Sequence, residues 1–319
     1  MIIKSLIIIS IIFNTLGIKS VPEKFDDAVL RSEYSSANNV LAANENKLPL
    51  PTISPLPIVK ADAPNQSILA LRYILIDADS SIELAGKNEH LAVPIASTTK
   101  IMTATVALEN YKLDDIVAIS EASASAIGAS ANFTVGEKIT VNNLLKCMLI
   151  KSANGAAIAL AEHINKVNEK GTGKFVALMN EKAKSLGMKD TNYHDPAGLD
   201  VTGLSSAYDL SIITKYALKK PVFAEIVKTS KTSVTDVTGT QWHALENSNR
   251  LVNQYDYPGA IGVKTGYMDE AGHCLVGAAK RNGHTLIAVI LATNSNAADA
   301  SAIEARKLLD WGLTNVGWE

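Results

Sequence analysis

Segments with strand character stand at both ends of this chain and helical segments fill its middle, so a sheet must draw its strands from distant parts of the sequence. Near the N-terminal side, SILALRYILIDADSSIELAGKNEH (67–90) reads as two β-rich runs joined at DADSS, a hairpin. After residue 230 come TSVTDVTG, AIGVKTGY, HCLVGAAK and HTLIAVILAT, with RNGH as a tight turn. Between these lie a helix-like stretch at about 97–110, then TVNNLLKCML, GAAIALAEHI and FVALMNEKAKSLG, all with apolar residues at helical spacing. The last of them ends on Gly187, where a helix C-terminus favours glycine. AADASAIEARKLLDWGL reads as a closing helix. This order predicts an α+β fold: a sheet built from both ends, with a helical subdomain inserted at roughly 115–230.

With 319 residues, 47% of them hydrophobic, the chain has ample material for a large core. A formal charge of -2 and no basic stripe exclude the electrostatic footprint of a nucleic-acid binder. The first residues, MIIKSLIIISIIFNTLG, place Lys4 before an apolar run from Leu6 to Phe13, too short to span a bilayer comfortably and shaped like a secretory signal. Residues 1–20 are therefore read as a signal peptide or an uncleaved N-terminal membrane anchor, and the working domain as exported to the cell envelope or beyond. Six of the 10 prolines precede residue 65, among polar runs such as SSANN, so 21–65 reads as a tether and 66–319 as the working domain. Cys147 and Cys274 sit in apolar surroundings and read as isolated buried thiols. The six histidines have no ligand-type spacing, so neither a metal nor a cofactor is expected.

Three short motifs carry chemistry. In PIASTTKIMTA, Ser97 and Lys100 stand three apart, the separation that makes neighbours on one helix face. A serine hydroxyl needs an adjacent base, and a lysine serves as one only if burial or nearby positive charge lowers its pKa. The bland reading is a helix start with a surface lysine, since such a pair is expected about once by chance in a chain of this size. Ser97 is the only serine here with a lysine three residues on, and the IMTATVAL behind it is apolar enough to be buried. The tripeptide SAN occurs at 36–38, 130–132 and 152–154. The first lies in the tether and the second reads as a polar turn; the third is bracketed by LLKCMLI and GAAIALAEHI, where unpaired polar groups are costly, which selects Ser152 and Asn154. Lys264-Thr265-Gly266 occurs once, on a strand-like run, and offers an ammonium and a hydroxyl to a carboxylate while the glycine lets a ligand approach the backbone. An ordinary edge lysine before a turn is its bland reading.

In the order SxxK, SxN, KTG these elements resemble the set shared by class A β-lactamases and penicillin-binding proteins. From about Ser67 to the end the chain is similar to low-molecular-mass penicillin-binding proteins that are serine-type D-alanyl-D-alanine carboxypeptidases. Further segments carry the likeness: TVNNLLKCMLIKSANGAAIALAEHI, FVALMNEKAKSLGMKDTNYHDPAGLD, SSAYDL and GVKTGYMDEAGHCLVGAA. The resemblance implies an antiparallel sheet flanked by helices. It also implies a peptidoglycan stem peptide ending in D-Ala-D-Ala as substrate, and β-lactam antibiotics as covalent inhibitors. By the same resemblance Ser97 is the nucleophile, Lys100 its base, and Ser152 a proton relay toward the leaving amine. Asn154 would hold the substrate amide and Lys100; Lys264 and Thr265 would bind the terminal carboxylate, Lys264 also depressing the pKa of Lys100. The backbone N–H groups of Ser97 and Tyr267 would form the oxyanion hole, beside Gly266.

The chain departs from the family's pattern at Ala153, where glycine is usual, and at Ala197, where some members carry histidine. Many members continue into a second β-rich domain and an anchoring tail; this chain stops at Glu319 just after the closing helix, so an anchor, if any, is expected at the N-terminus. A class A β-lactamase would need an ExxLN-type glutamate between Asn154 and Lys264; the loop there reads HDPAGLD, in which Asp195 before Pro196 reads as a turn former. A D,D-endopeptidase would use the same residues on cross-links. A non-catalytic penicillin sensor would be expected to have lost one of Ser97, Lys100, Ser152, Asn154 or Lys264, and all five are present.

Overall fold

The computed structural model describes residues 55–165, 171–293 and 297–319. The segments read as signal or anchor (1–20) and most of the tether lie outside the described residues. A five-stranded antiparallel sheet is built from β1 (Ala70–Asp77), β2 (Glu83–Lys87), β3 (Ala260–Met268), β4 (Gly272–Arg281) and β5 (His284–Thr293), in the order β3-β4-β5-β1-β2. The two ends of the chain meet at the β5–β1 pairing, where Ile290 faces Tyr73.

The apolar runs in β1, β4 and β5 are nearly continuous because both faces of the sheet are covered. Alternate residues enter two different cores. Ile74, Ile76, Val276, Ile287 and Val289 join a large cluster with the helical layer, while Tyr73, Leu75, Leu275, Leu286 and Ile290 pack against the closing helix. The helical layer contains α1 (Lys100–Asn110), α2 (Val141–Ile150), α3 (Asn154–Glu162), α4 (Gly173–Ser185) and α5 (Ala207–Leu218). Helix α6 (Ala300–Asn315) covers the other face. Its Gly312 is required by close packing, since a Cβ there would stand 2.6 Å from Leu75 Cδ2. Each fully buried Leu or Ile contributes about 1.5–3 kcal/mol of hydrophobic stabilisation.

Local chemistry fixes where the helices start. Thr140 caps α2 by accepting from the amide of Asn143 at 3.2 Å, and Ser206 caps α5 by accepting from Asp209 at 3.1 Å. Helix α1 is the central one: every residue from Lys100 to Ala107 is buried, because the helix lies among α2, α3, α4 and α5. Gly187, with φ +76°, follows α4 in the left-handed conformation that the sequence anticipates. Part of the segment read as tether is folded: Pro57–Val59 pairs with Val316–Trp318 in a two-stranded sheet. Proline is tolerated there because it is the first residue of a strand.

Candidate active site

Ser97 lies in a single 3-10 turn, Ala96–Thr99, that leads directly into α1. Two glycines let other segments close on this turn. Gly266 of β3 would place a Cβ 3.0 Å from both Ile95 O and Ser97 N, and Gly198 (φ +76°) would place one 2.0 Å from Ala96 O. The sequence reading assigned the Gly266 gap to an approaching ligand; in the structure the serine turn itself fills it. Ala96 has φ +47°, a strained value for a residue with a Cβ and one that clusters at functional sites.

Lys100, the first residue of α1, is fully buried. Its Nζ is 2.7 Å from Ser97 Oγ, 2.8 Å from Asn154 Oδ1 and 2.6 Å from the carbonyl oxygen of Ala197. Asn154 opens α3; its Nδ2 donates to Ile127 O at 2.6 Å and its backbone N–H to Ala129 O at 2.8 Å. Only one amide orientation satisfies both side-chain bonds, so Oδ1 is fixed toward the lysine. Ser152, in the short connection between α2 and α3, has φ +64° and is buried. Its Oγ accepts from Lys264 Nζ at 2.8 Å, and the same nitrogen donates to Thr265 O at 2.9 Å. Thus Ser97, Lys100 and Asn154 form one hydrogen-bonded group and Ser152 and Lys264 another.

Thr265 and Tyr267 face the other way along β3. Thr265 Oγ1 is 2.7 Å from Ser248 Oγ, making a pair of hydroxyls on the solvent side. Tyr267 is 59% exposed; its ring lies against His273 and its hydroxyl donates to Asp269 at 2.9 Å, so its side chain makes no contact with the two lysine groups. Three contributors were missed in the sequence. The Ala197 carbonyl and Ser248 carry no motif, and Asp195 was read only as a turn former. Its carboxylate accepts the backbone N–H groups of Ala197, Gly198, Leu199 and Asp200 at 2.7–3.0 Å, which holds the Ala197 carbonyl on Lys100. The DPAG sequence was the available signal.

Residues 58–295 match the peptidase S11 family, D-alanyl-D-alanine carboxypeptidase. The chain belongs to this family. The carboxypeptidase is 36% identical over 272 residues to the D-alanyl-D-alanine carboxypeptidase DacF of Bacillus subtilis, covering 82% of this chain and 68% of that one. It is 36% identical over 248 residues to DacB2 of Mycobacterium tuberculosis, a D-alanyl-D-alanine carboxypeptidase, covering 76% and 82%. A D-alanyl-D-alanine endopeptidase of Haemophilus influenzae is also 36% identical, over 250 residues, covering 77% and 83%. Among solved structures, the DD-transpeptidase of Streptomyces K15 superposes with a TM-score of 0.73 at 32% identity, covering 79% of this chain and 99% of that one. The expected α+β fold of the penicillin-binding-protein type is the one observed.

The electrostatics of the carboxypeptidase's two lysines differ. Burial pushes the pKa of Lys100 well below the ordinary lysine value, the Lys264 ammonium pushes it further down, and Asp195 opposes both. Burial alone brings Lys264 down to about 7. Around a neutral Lys100 amine, the carbonyls of Asn154 and Ala197 can only accept, so they take both of its hydrogens. The lone pair then points at the third neighbour, Ser97 Oγ, whose hydroxyl donates to it. This arrangement aims a base at a hydroxyl. Among the described residues, Asp77, Asp79 and His284 come within 4.8 Å of one another with metal-type atoms. Asp77 is already committed to structure there: Oδ1 accepts from Ser80 N and Oγ, and Oδ2 from Trp318 Nε1 at 3.0 Å.

Proposed function

We propose that this D-alanyl-D-alanine carboxypeptidase acts through Ser97 as nucleophile and Lys100 as its base. The observation that carries the assignment is the 2.7 Å contact between a fully buried Lys100 and Ser97, with the other two Lys100 contacts both to carbonyl oxygens. Ser97 Oγ attacks the carbonyl between the two D-alanines as its proton passes to Lys100. The C–N bond breaks when the departing amine gains a proton through Ser152, and the terminal D-alanine leaves. Water then hydrolyses the ester on Ser97 and restores the free hydroxyl. Lys264 and Thr265, with Ser248 beside them, bind the terminal carboxylate; Asn154 holds Lys100 and the substrate amide. The backbone N–H groups of Ser97 and Tyr267 receive the developing oxyanion, a contribution of about 3–4 kcal/mol for one such donor.

Purified protein is expected to release D-alanine from a pentapeptide ending in D-Ala-D-Ala and to gain the mass of one penicillin on Ser97. Ser97→Ala should do neither, and labelling of Ser97→Ala would overturn the assignment. The similarity to the Haemophilus influenzae endopeptidase supports a second reading, in which cross-linked muropeptide is cut by the same residues. Parallel assays on pentapeptide and on a cross-linked dimer separate the two. Peptidoglycan as substrate puts the enzyme in the cell envelope. Residues 1–20 are read as the export signal or anchor, and the N-terminal mass of protein recovered from membrane and soluble fractions distinguishes them. Among the described residues no helix is long and apolar enough to cross a membrane.

A further inference from the structure

Ile127 O and Ala129 O hold Asn154 in place, yet both belong to residues 125–137, a stretch with neither helix nor strand. Such a loop positions a neighbour only if something fastens it. Backbone bonds to Ile119 hold its Gly136–Glu137 end, and the side-chain fastening comes from the hairpin of Lys231–Thr235 and Trp242–Glu246. His243 of that hairpin is buried; its Nδ1 is 2.7 Å from Ala131 O and its Nε2 is 2.7 Å from Glu137 Oε1. Glu137 Oε2 accepts the amide of Thr134 at 3.0 Å, and the Phe133 ring meets the imidazole edge-on with centroids 5.0 Å apart. The same imidazole therefore grips the loop at both ends of the segment 131–137.

The hydrogen inventory at this contact is constrained. A carbonyl oxygen only accepts, so Nδ1 carries a hydrogen. The remaining contact, Nε2 to Oε1, is bridged by one further hydrogen, and the other carboxyl oxygen is held by the amide of Thr134. The pair is buried and joined by one short hydrogen bond. Beyond His243 the strand runs on to Asn247 and Ser248. Asn247 Nδ2 donates to Val227 O and Thr229 O, Ser248 N donates to Ile150 O, and Ser248 Oγ meets Thr265. One histidine thus ties the loop behind Asn154 to the hairpin that delivers Ser248.

We propose that His243 and Glu137 are positioning residues for the reaction at Ser97: through Ala131 and the 125–137 loop they hold Asn154 with its Oδ1 on Lys100. The proposal rests on the assignment of Ser97 as nucleophile. Loss of the pair slows acylation by letting Asn154, and with it the Lys100 amine, drift from the serine, while leaving initial capture of the ligand's carboxylate at Lys264 and Thr265 intact. Substitution of Glu137 by glutamine preserves the geometry, because a neutral imidazole keeps Nδ1–H on Ala131 O and accepts the glutamine amide hydrogen at Nε2.

The test measures acylation of the full chain by benzylpenicillin, reading the saturating rate constant and the half-saturating concentration from the molecules that take label. His243→Phe, which fills the ring's volume without its hydrogen bonds, is expected to lower the saturating rate about tenfold or more, since displacements of about 1 Å cost up to about a hundredfold. Its half-saturating concentration should stay within about twofold, and Glu137→Gln should stay within about twofold of wild type in both quantities. Glu137→Ala supplies the same test should His243→Phe not fold, with the same slowing expected. A full-rate His243→Phe or Glu137→Ala, or a Glu137→Gln as slow as either, overturns the positioning role. Wild-type protein that takes no label overturns the Ser97 assignment itself.

Discussion

The tripeptide Ser-Ala-Asn appears in two described loops of this protein, at 130–132 and 152–154, and does different things in each. In the first, Ser130 Oγ accepts the amide of Asn132, and Asn132 takes φ +60° in an exposed turn. In the second it is the serine that is left-handed, at φ +64°, and both polar side chains are buried against lysines. The residues are the same; the flanking sequence is not. LLKCMLI and GAAIALAEHI force the second loop between two buried helices, where its hydroxyl and amide must find partners, whereas in the first only Ala131 is buried and the Asn132 side chain stays exposed. A motif becomes a site when its neighbours make solvent unavailable.

The largest separation between the two loops should appear in rate. Ser152→Ala and Asn154→Ala are each expected to slow acylation of Ser97 by about a hundredfold or more, the range of a lost proton-transfer partner, while Ser130→Ala and Asn132→Ala change it by less than about twofold per folded molecule. Equal losses at both loops, measured by penicillin labelling kinetics, would erase the distinction. Next comes pH, through the lysine that only the second loop contacts. Because burial sets Lys264 at about 7, it carries charge below that pH and loses it above. Capture of a carboxylate-bearing ligand should therefore weaken about tenfold or more as pH rises from 6 to 9, the scale of a lost charged hydrogen bond. Lys100 works in the opposite sense: as the proposed base it must be neutral to accept the Ser97 proton, so the acylation step should speed up as pH rises through its depressed value. The titration of half-saturating concentration against saturating rate separates the two lysines. The smallest effect concerns backbone alone, where the loops should agree. Ser152→Gly should be more stable than Ser152→Ala by about 1 kcal/mol, and Asn132→Gly more stable than Asn132→Ala by a similar amount, because only glycine escapes the left-handed penalty. Chemical denaturation of the four variants checks this.

The same contrast explains what the sequence discloses. Ser97, Lys100, Ser152, Asn154 and Lys264 are recognisable because side-chain chemistry is written in residue letters and their apolar flanks signal burial. The Ala197 carbonyl is not, since every residue has one; only the four amides gathered by Asp195 reveal that this one is aimed. Ser248 is invisible for a related reason: it becomes a partner of Thr265 only after the hairpin at 231–246 has folded back. The sheet was legible from its apolar runs and turn residues. The pairing of Pro57–Val59 with Val316–Trp318 was not, because prolines and polar neighbours masked a short strand whose partner is at the other end of the chain.

That joining of distant ends has a consequence for how the enzyme comes into being. Ser97 and Lys100 are made early, but the neighbour that holds Gly266 against their turn, and Lys264 beside them, arrives only with β3, and β1 finds its central partner only with β5. Contacts so remote in sequence form slowly, after most of the chain is present. A growing or truncated chain that ends before residue 260 holds Ser97 and Lys100 without the wall that completes their surroundings. Hydrolytic competence is therefore a late event in the life of the polypeptide, acquired when its final strands are in place.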